Sequence, residues 1–310
     1  MQIGPLAQLV EQRTFNPWVV GSSPTGPTMT NLATLHASGD YLTHEKLWID
    51  SLKTSLFDYR NAYFLFEPGR WRGINWDDIR NCESSALTLV LGHSDNDVSL
   101  PMLETLRKHT EYSRFFASNL TPEASREGSV FDLPIGIPND ERQSKTHIVQ
   151  SDSSLIKKAW DRTRKLERYR KPRVYANFSI RNNPQVRGEA REALDTLPDA
   201  VVGKFKVSKR ARLEDLVLMG RCGLVMCPRG AGMDTHRFWE CLLVGSVPIV
   251  LEGDHSARLA QRFQLPHIAL SSWKDAADTQ YLENEWQNFN TTVWDYSALS
   301  TSYWQQKILG

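Results

Sequence analysis

From residue 173 onward the chain alternates short apolar runs with amphipathic stretches. RVYANFS predicts a strand, and PQVRGEAREALDTL a helix with Pro184 suited to its first turn. AVVGKF reads as a strand, RLEDLVLMGR as a helix and CGLVMCP as a strand, followed by the glycine-rich turn Arg229-Gly230-Ala231-Gly232. Helix DTHRFWECLLVG, strand SVPIVL, helix HSARLAQRF and strand HIAL come next, then a helix from Ala276 to Asn290 and an aromatic tail. Such alternation implies a parallel sheet with helices on both faces, and ligands gather at the carboxyl ends of its strands.

The pattern before residue 150 is looser. Leu42, Leu47, Leu52 and Phe57 recur at helical intervals between residues 41 and 60, and FLFEPG suggests a strand stopped by Pro68-Gly69. Ala86 to Leu91 is a buried strand running into the loop GHSDND; RFFASN and DLPIGIP resemble further strands, with a helix from Pro101 to Thr110. The polar stretch from Pro138 to Ser154 reads as a linker, and Lys157 to Lys171 as a charged helix whose basic residues form a solvated face. The expected division is an α/β domain over 29–150 and a second, Rossmann-like one over 151–310, with a cleft between them. A chain of 310 residues accommodates two domains.

A net charge of +1 argues against a general nucleic-acid or membrane-surface partner, and no apolar run is long enough to span a bilayer. The four cysteines, Cys82, Cys222, Cys227 and Cys241, fit no zinc spacing; three fall in apolar runs and read as core residues in a reduced, cytoplasmic protein.

Residues 1–28 have neither helical nor strand period, nor a signal-peptide layout. Reverse-translated, they resemble a lysine transfer-RNA gene: LAQLVEQR can encode a D-arm, Thr14-Phe15-Asn16 an anticodon loop, and GSSPT a T-arm. Thr28-Met29 can then encode a CCA end directly before a start codon. The working protein is therefore expected to begin at Met29, with residues 1–28 a spurious or disordered extension.

The densest chemistry lies between Arg229 and Val250. Glycines let backbone approach a ligand, and the helix start that follows, capped by Asp234 or Thr235, offers free amides and a positive dipole end to an anion. The turn is neither the dinucleotide fingerprint, since Thr235 stands at its third glycine, nor a P-loop. Helical spacing brings Asp234, Arg237 and Glu240 near the glycines, while Asn177, Arg181 and Arg187 stand at another strand end. Arginines pair with phosphate oxygens and a carboxylate accepts bonds from sugar hydroxyls. Together these are the parts of a nucleoside-diphosphate-sugar site.

PRGAGMDTHRFWECLLVGSVPIVL resembles the P-x-G-x-G-x-D-x-x-R-x-W-E-x-L-x-x-G-x-x-P segment of exostosin-like glycosyltransferases, and YANFSIRNNPQVR resembles a segment upstream in the same family. The resemblance covers roughly residues 173–273. It implies a GT-B fold, inverting sugar transfer from a nucleotide-diphosphate sugar, no obligatory metal and no other cofactor. Carried over, Arg229, Gly230 and Gly232 would line the donor phosphates and sugar, with Asn177 beside them. Asp234 and Arg237 would orient the sugar or hold the turn, Glu240 would bind ribose hydroxyls, and Arg181 and Arg187 would neutralise the leaving diphosphate. The acceptor would be a glycan or lipid-linked hydroxyl, in a setting of surface polysaccharide synthesis.

Inverting transfer needs a base from the first domain. The loop after Leu91 offers Asp95, with His93 second. The same loop contains Asp95-Asn96-Asp97, which resembles the metal-gripping D-x-D of GT-A transferases. The other alternative is a non-catalytic nucleotide- or glycan-binding module.

Overall fold

The computed structural model describes residues 30–43, 62–66, 88–92, 95–109, 113–138, 149–150, 152–165, 172–204 and 207–309. The segment resembling a transfer-RNA gene, His93, Cys82 and most of the helix expected over 41–60 lie outside them. Within 41–43 the chain is extended, Tyr41 bridging Ser300 and Thr43 bridging Gly136, so that stretch is not helical.

Helix α1 (Leu32–Ser38) precedes a first sheet of four parallel strands. Strands β1 (Ala62–Phe66) and β2 (Thr88–Gly92), helix α2 (Leu100–His109), and strands β3 (Arg114–Ala117) and β4 (Val130–Asp132) follow in turn, with the strands lying side by side in chain order. DLPIGIP is a strand only at its first residue; the rest is an extended loop whose Gly136 sits at φ +65°.

The second half runs α3 (Ser153–Thr163), β5 (Arg173–Ala176), α4 (Pro184–Asp195), β6 (Val201–Val202), α5 (Lys209–Cys222), β7 (Gly223–Met226), α6 (His236–Leu243), β8 (Val247–Leu251), α7 (His255–Phe263), β9 (Ile268–Leu270), α8 (Thr279–Thr291) and α9 (Thr301–Leu309). Its five strands are parallel, in the order β6-β5-β7-β8-β9. Alternate residues go to opposite faces, as the pleat requires. Tyr175, Val225 and Val250 join a core with α3, α5, α6 and α7; Val174, Leu224 and Ile249 join one with α4 and α8. Cys222, Cys227 and Cys241 are free, buried core residues. No helix among the described residues is long and apolar enough to cross a membrane.

Packing crosses the linear division near residue 150 at both ends of the chain. Leu32 and Leu35 of α1 sit in the core of the second half with Trp160 and Leu243. The aromatic tail is helix α9, whose Trp304 and Ile308 cover Val90 and Phe116 of the first sheet. Arg262 of α7 pairs with Asp132 of β4, and Arg258 donates to the Leu120 carbonyl at 2.8 Å.

His36 of α1 stacks on Trp160, with ring centroids 4.8 Å apart. Its Nε2 donates to the Leu243 carbonyl at 2.8 Å, so its Nδ1 accepts from the Tyr41 hydroxyl at 2.5 Å. Burial lowers its pKa to about 4. Burial, and then the Arg258 charge, lowers that of His255 to about 3.

Candidate functional site

In the second sheet the chain passes from β5 to β6 on one side and then returns to β7 on the other. That reversal opens a crevice beyond the carboxyl ends of β5 and β7, where open parallel sheets bind ligands. A cavity of about 790 Å³ occupies it. This lies within the usual range for small-molecule sites, roughly 300–1,000 Å³. Asn177, Phe178 and Ser179 line it from the end of β5, and Pro228, Gly230 and Gly232 from the end of β7. Asp95, Ile135 and Pro138 close it from the first half.

The glycines are dictated by close neighbours. A Cβ on Gly230 would come within 2.9 Å of Arg187 Nη2, and one on Gly232 within 3.2 Å of Asp95 Oδ1 and of Asn119 Nδ2. The amides of Gly230, Ala231 and Gly232 find no acceptor among the described residues. Buried amides are nearly always partnered, so amides left open on a cavity wall suit an anionic ligand. The amino ends of α4 and α6 converge on the same wall, adding positive dipole ends.

Arg187, in the first turn of α4, is 8% exposed. It donates to backbone carbonyls of both strand-end loops: Nη1 to Ser179 at 3.0 Å, Nε to Arg229 at 3.1 Å and Nη2 to Pro228 at 3.5 Å. No carboxylate among the described residues pairs with it. Burial, then the neighbouring Arg237 charge, lowers its pKa. A buried cation without a counterion is costly unless a ligand supplies the anion.

The floor is a buried network of alternating charge. Arg212 of α5 pairs with Glu240 of α6 and, at 3.1 Å, with Asp215. Asp215 Oδ2 also accepts from Arg237 at 2.9 Å, while its Oδ1 accepts from the Tyr175 hydroxyl and, at 2.6 Å, from Asn177. Burial alone would raise the Asp215 pKa; the Arg237 and Arg212 guanidiniums hold it well below the usual carboxylate range. Glu240 Oε2 stands 3.9 Å from Arg237 Nε.

Asp234 ties the two halves together. Its carboxylate accepts from the amides of Ile135 (2.9 Å) and Thr235 (2.7 Å), from Trp239 Nε1 (3.0 Å) and from the Ser256 hydroxyl (3.1 Å). Its own amide donates to Asn119 Oδ1 at 2.7 Å. Burial pushes its pKa up to about 6 against these bonds. Next to it, His236 Nδ1 lies 2.8 Å from the Gly136 carbonyl.

Of the residues singled out in the sequence, Asp95, Asn177, Arg187, Gly230, Gly232, Asp234, Arg237 and Glu240 line one cavity. Arg181 is exposed on a 3-10 turn and Arg229 turns only its carbonyl to Arg187; neither lines it. Asp234 holds the turn rather than a sugar, because its acceptor capacity is spent on protein donors. Thr235 is the N-cap of α6, without a capping side-chain bond, and Asp234 satisfies the Thr235 amide instead. Asn119, Arg212, Asp215 and His236 were not anticipated. The i, i+3 spacing of Arg212 and Asp215 beside the apolar Leu216 and Met219 was their only local signal.

The titrations have a consequence for stability. A histidine whose folded pKa is depressed stabilises above its unfolded value of about 6.5 and loses that contribution as pH falls towards the folded pKa. His36 and His255 both act this way. Asp234, with its pKa raised, acts in the opposite sense between about pH 6 and 4. Burial lowers the pKa of His267 in the same sense as these two histidines and raises those of Asp132 and Asp254 in the sense of Asp234. His36 and His255 outweigh Asp234 by on the order of 3 kcal/mol between pH 7 and 4, so unfolding free energy should fall over that range. Urea denaturation across that range measures it, and His36→Asn should abolish most of the slope, because the remaining histidine is then nearly balanced by Asp234.

Fold and cavity thus define a two-sheet α/β protein with Rossmann-like parallel sheets and an anion-suited crevice at the strand-order reversal. Compared with family models and with curated proteins, the chain matches none.

Proposed function

We propose that the protein is a glycosyltransferase of the exostosin-like kind, moving a sugar from a nucleoside-diphosphate sugar to a glycan or lipid-linked hydroxyl. One observation carries the reading: the buried, carboxylate-free Arg187 stands beside the open amides of Gly230–Gly232 at the mouth of the β5–β7 crevice. A diphosphate supplies the charge that Arg187 lacks and the acceptors that those amides lack. Positive charge fixed there is worth most when the glycosidic bond breaks and the diphosphate takes up its electron pair. Asn177 and the second carboxylate oxygen of Glu240 stand ready for hydroxyls of the nucleotide or sugar. The acceptor enters from the first half, past Asp95. Transfer inverts the anomeric carbon without a metal, in the cytoplasm, during surface polysaccharide synthesis.

The test is a thermal-shift panel of UDP, GDP, UDP-glucose, UDP-N-acetylglucosamine and GDP-mannose, with and without Mn²⁺. Metal-independent stabilisation of several degrees by one nucleotide, lost in Glu240→Ala, supports the reading; no shift with any of them overturns it. Asp95 lines the cavity, so a shift that needs Mn²⁺ and disappears in Asp95→Asn would favour the metal-dependent transferase built on Asp95 and Asp97. Stabilisation without release of nucleoside diphosphate would favour a binding module.

A further inference from the structure

The transferase reading leaves open which group takes the proton from the incoming hydroxyl. Asp95 is exposed, and no hydrogen bond among the described residues holds its carboxylate. His236 is the first residue of α6, half-buried, and lines the same cavity.

The state of its ring follows from its partner. A carbonyl oxygen only accepts, so the contact at 2.8 Å between His236 Nδ1 and the Gly136 oxygen requires the proton on Nδ1. In the neutral ring Nε2 then carries the lone pair. The Gly136 carbonyl is itself held rigidly. Gly136 adopts φ +65°, a Cβ there would overlap the Leu42 carbonyl, and the next amide, of Ile137, donates to that carbonyl at 3.0 Å. A ring from the second half is thus oriented by a backbone group from the first, at the seam between the donor wall and the acceptor side. A base oriented by a third group is the arrangement that activates a hydroxyl nucleophile.

We infer that His236 is the general base of the transfer, an inference that rests on the transferase reading. The acceptor oxygen bonds to the anomeric carbon, and the bond from that carbon to the diphosphate oxygen breaks. Its electron pair leaves on the diphosphate. The hydroxyl proton passes to His236 Nε2, and the imidazolium formed returns it to solvent. The other charged groups lining the cavity are Asp95, Arg187, Arg212, Asp234, Arg237 and Glu240. Arg212, Asp234 and Arg237 are engaged in the bonds described above, Glu240 is held in an ion pair with Arg212 at the buried floor with only its second oxygen left to accept, and Arg187 has no basic lone pair to offer.

His236→Asn tests this, because the asparagine Nδ2 stands where Nδ1 stood and can still donate to Gly136 while the basic nitrogen is gone. The probe is the sugar nucleotide that stabilises the protein most in the thermal-shift panel, with water as acceptor and release of nucleoside diphosphate as the rate. The expected result is a loss of about 100-fold or more in kcat, with the donor Kd within about threefold of wild type and the melting temperature unchanged. A variant that keeps kcat within about threefold, while wild type turns over, overturns the inference and leaves the transferase reading standing. Loss in Asp95→Asn but none in His236→Asn overturns it in favour of Asp95. Wild-type protein that binds none of the nucleotides overturns the transferase reading and the inference together.

Discussion

Asp234→Ala should lower the unfolding free energy by about 4 kcal/mol or more, since orphaning a buried donor costs roughly 1–3 kcal/mol and this substitution orphans several. The amides of Ile135 and Thr235, the Trp239 indole and the Ser256 hydroxyl all lose their acceptor in a site only 4% exposed. Part of the loss is offset because a buried carboxyl with a pKa pushed up to about 6 is itself costly to hold ionised. Asp234→Asn keeps the volume and one acceptor oxygen but turns an amide group towards N–H donors, so about half of the loss should remain. Urea denaturation of both variants at pH 7 measures this. A loss under about 1 kcal/mol for the alanine variant would mean that Asp234 does not tie the halves together.

The largest effect on binding is expected at Arg187. Arg187→Met fills similar space without charge and should weaken binding of the best nucleoside diphosphate at least 100-fold, about 3 kcal/mol. It also orphans the carbonyls of Ser179, Pro228 and Arg229, so stability should fall by about 2 kcal/mol. Arg187→Lys separates the two effects. A single ammonium supplies charge but cannot bridge three carbonyls in a fixed fork, so affinity should recover partly and the loop should not. Isothermal titration at a temperature where denaturation shows each variant folded gives the affinities. Nucleotide affinity within threefold of wild type in Arg187→Met would remove the diphosphate from this wall of the cavity.

Most of the second half could be read from the sequence because its elements are short-range facts. Apolar runs such as CGLVMC and SVPIVL are β7 and β8, Pro184 stands at the start of α4, and the Arg229–Gly232 turn is where the break in pattern put it. The first half was read less well. Its stretch DLPIGIP leaves the first sheet after Leu133 and runs on as an extended loop, and α1 lacks the strong period that would have marked it. The tail was legible only as aromatic, because the surface that α9 covers belongs to the other half.

The candidate site divides along the same line. Its location, at the glycine turn and the carboxyl ends of β5 and β7, was set by local pattern and by the general behaviour of parallel sheets. The use made of each side chain was decided by partners remote in sequence. Asp234 meets Ile135 across 99 positions and Asn119 across 115, and His236 meets Gly136 across 100. Arg237 finds Asp215 22 positions away, while Arg187 is left with carbonyls alone. Periodicity reports only which face of an element avoids water. Which buried charge is answered by another, and which awaits an anion from outside, depends on distances of about 3 Å that exist only once both sheets are packed.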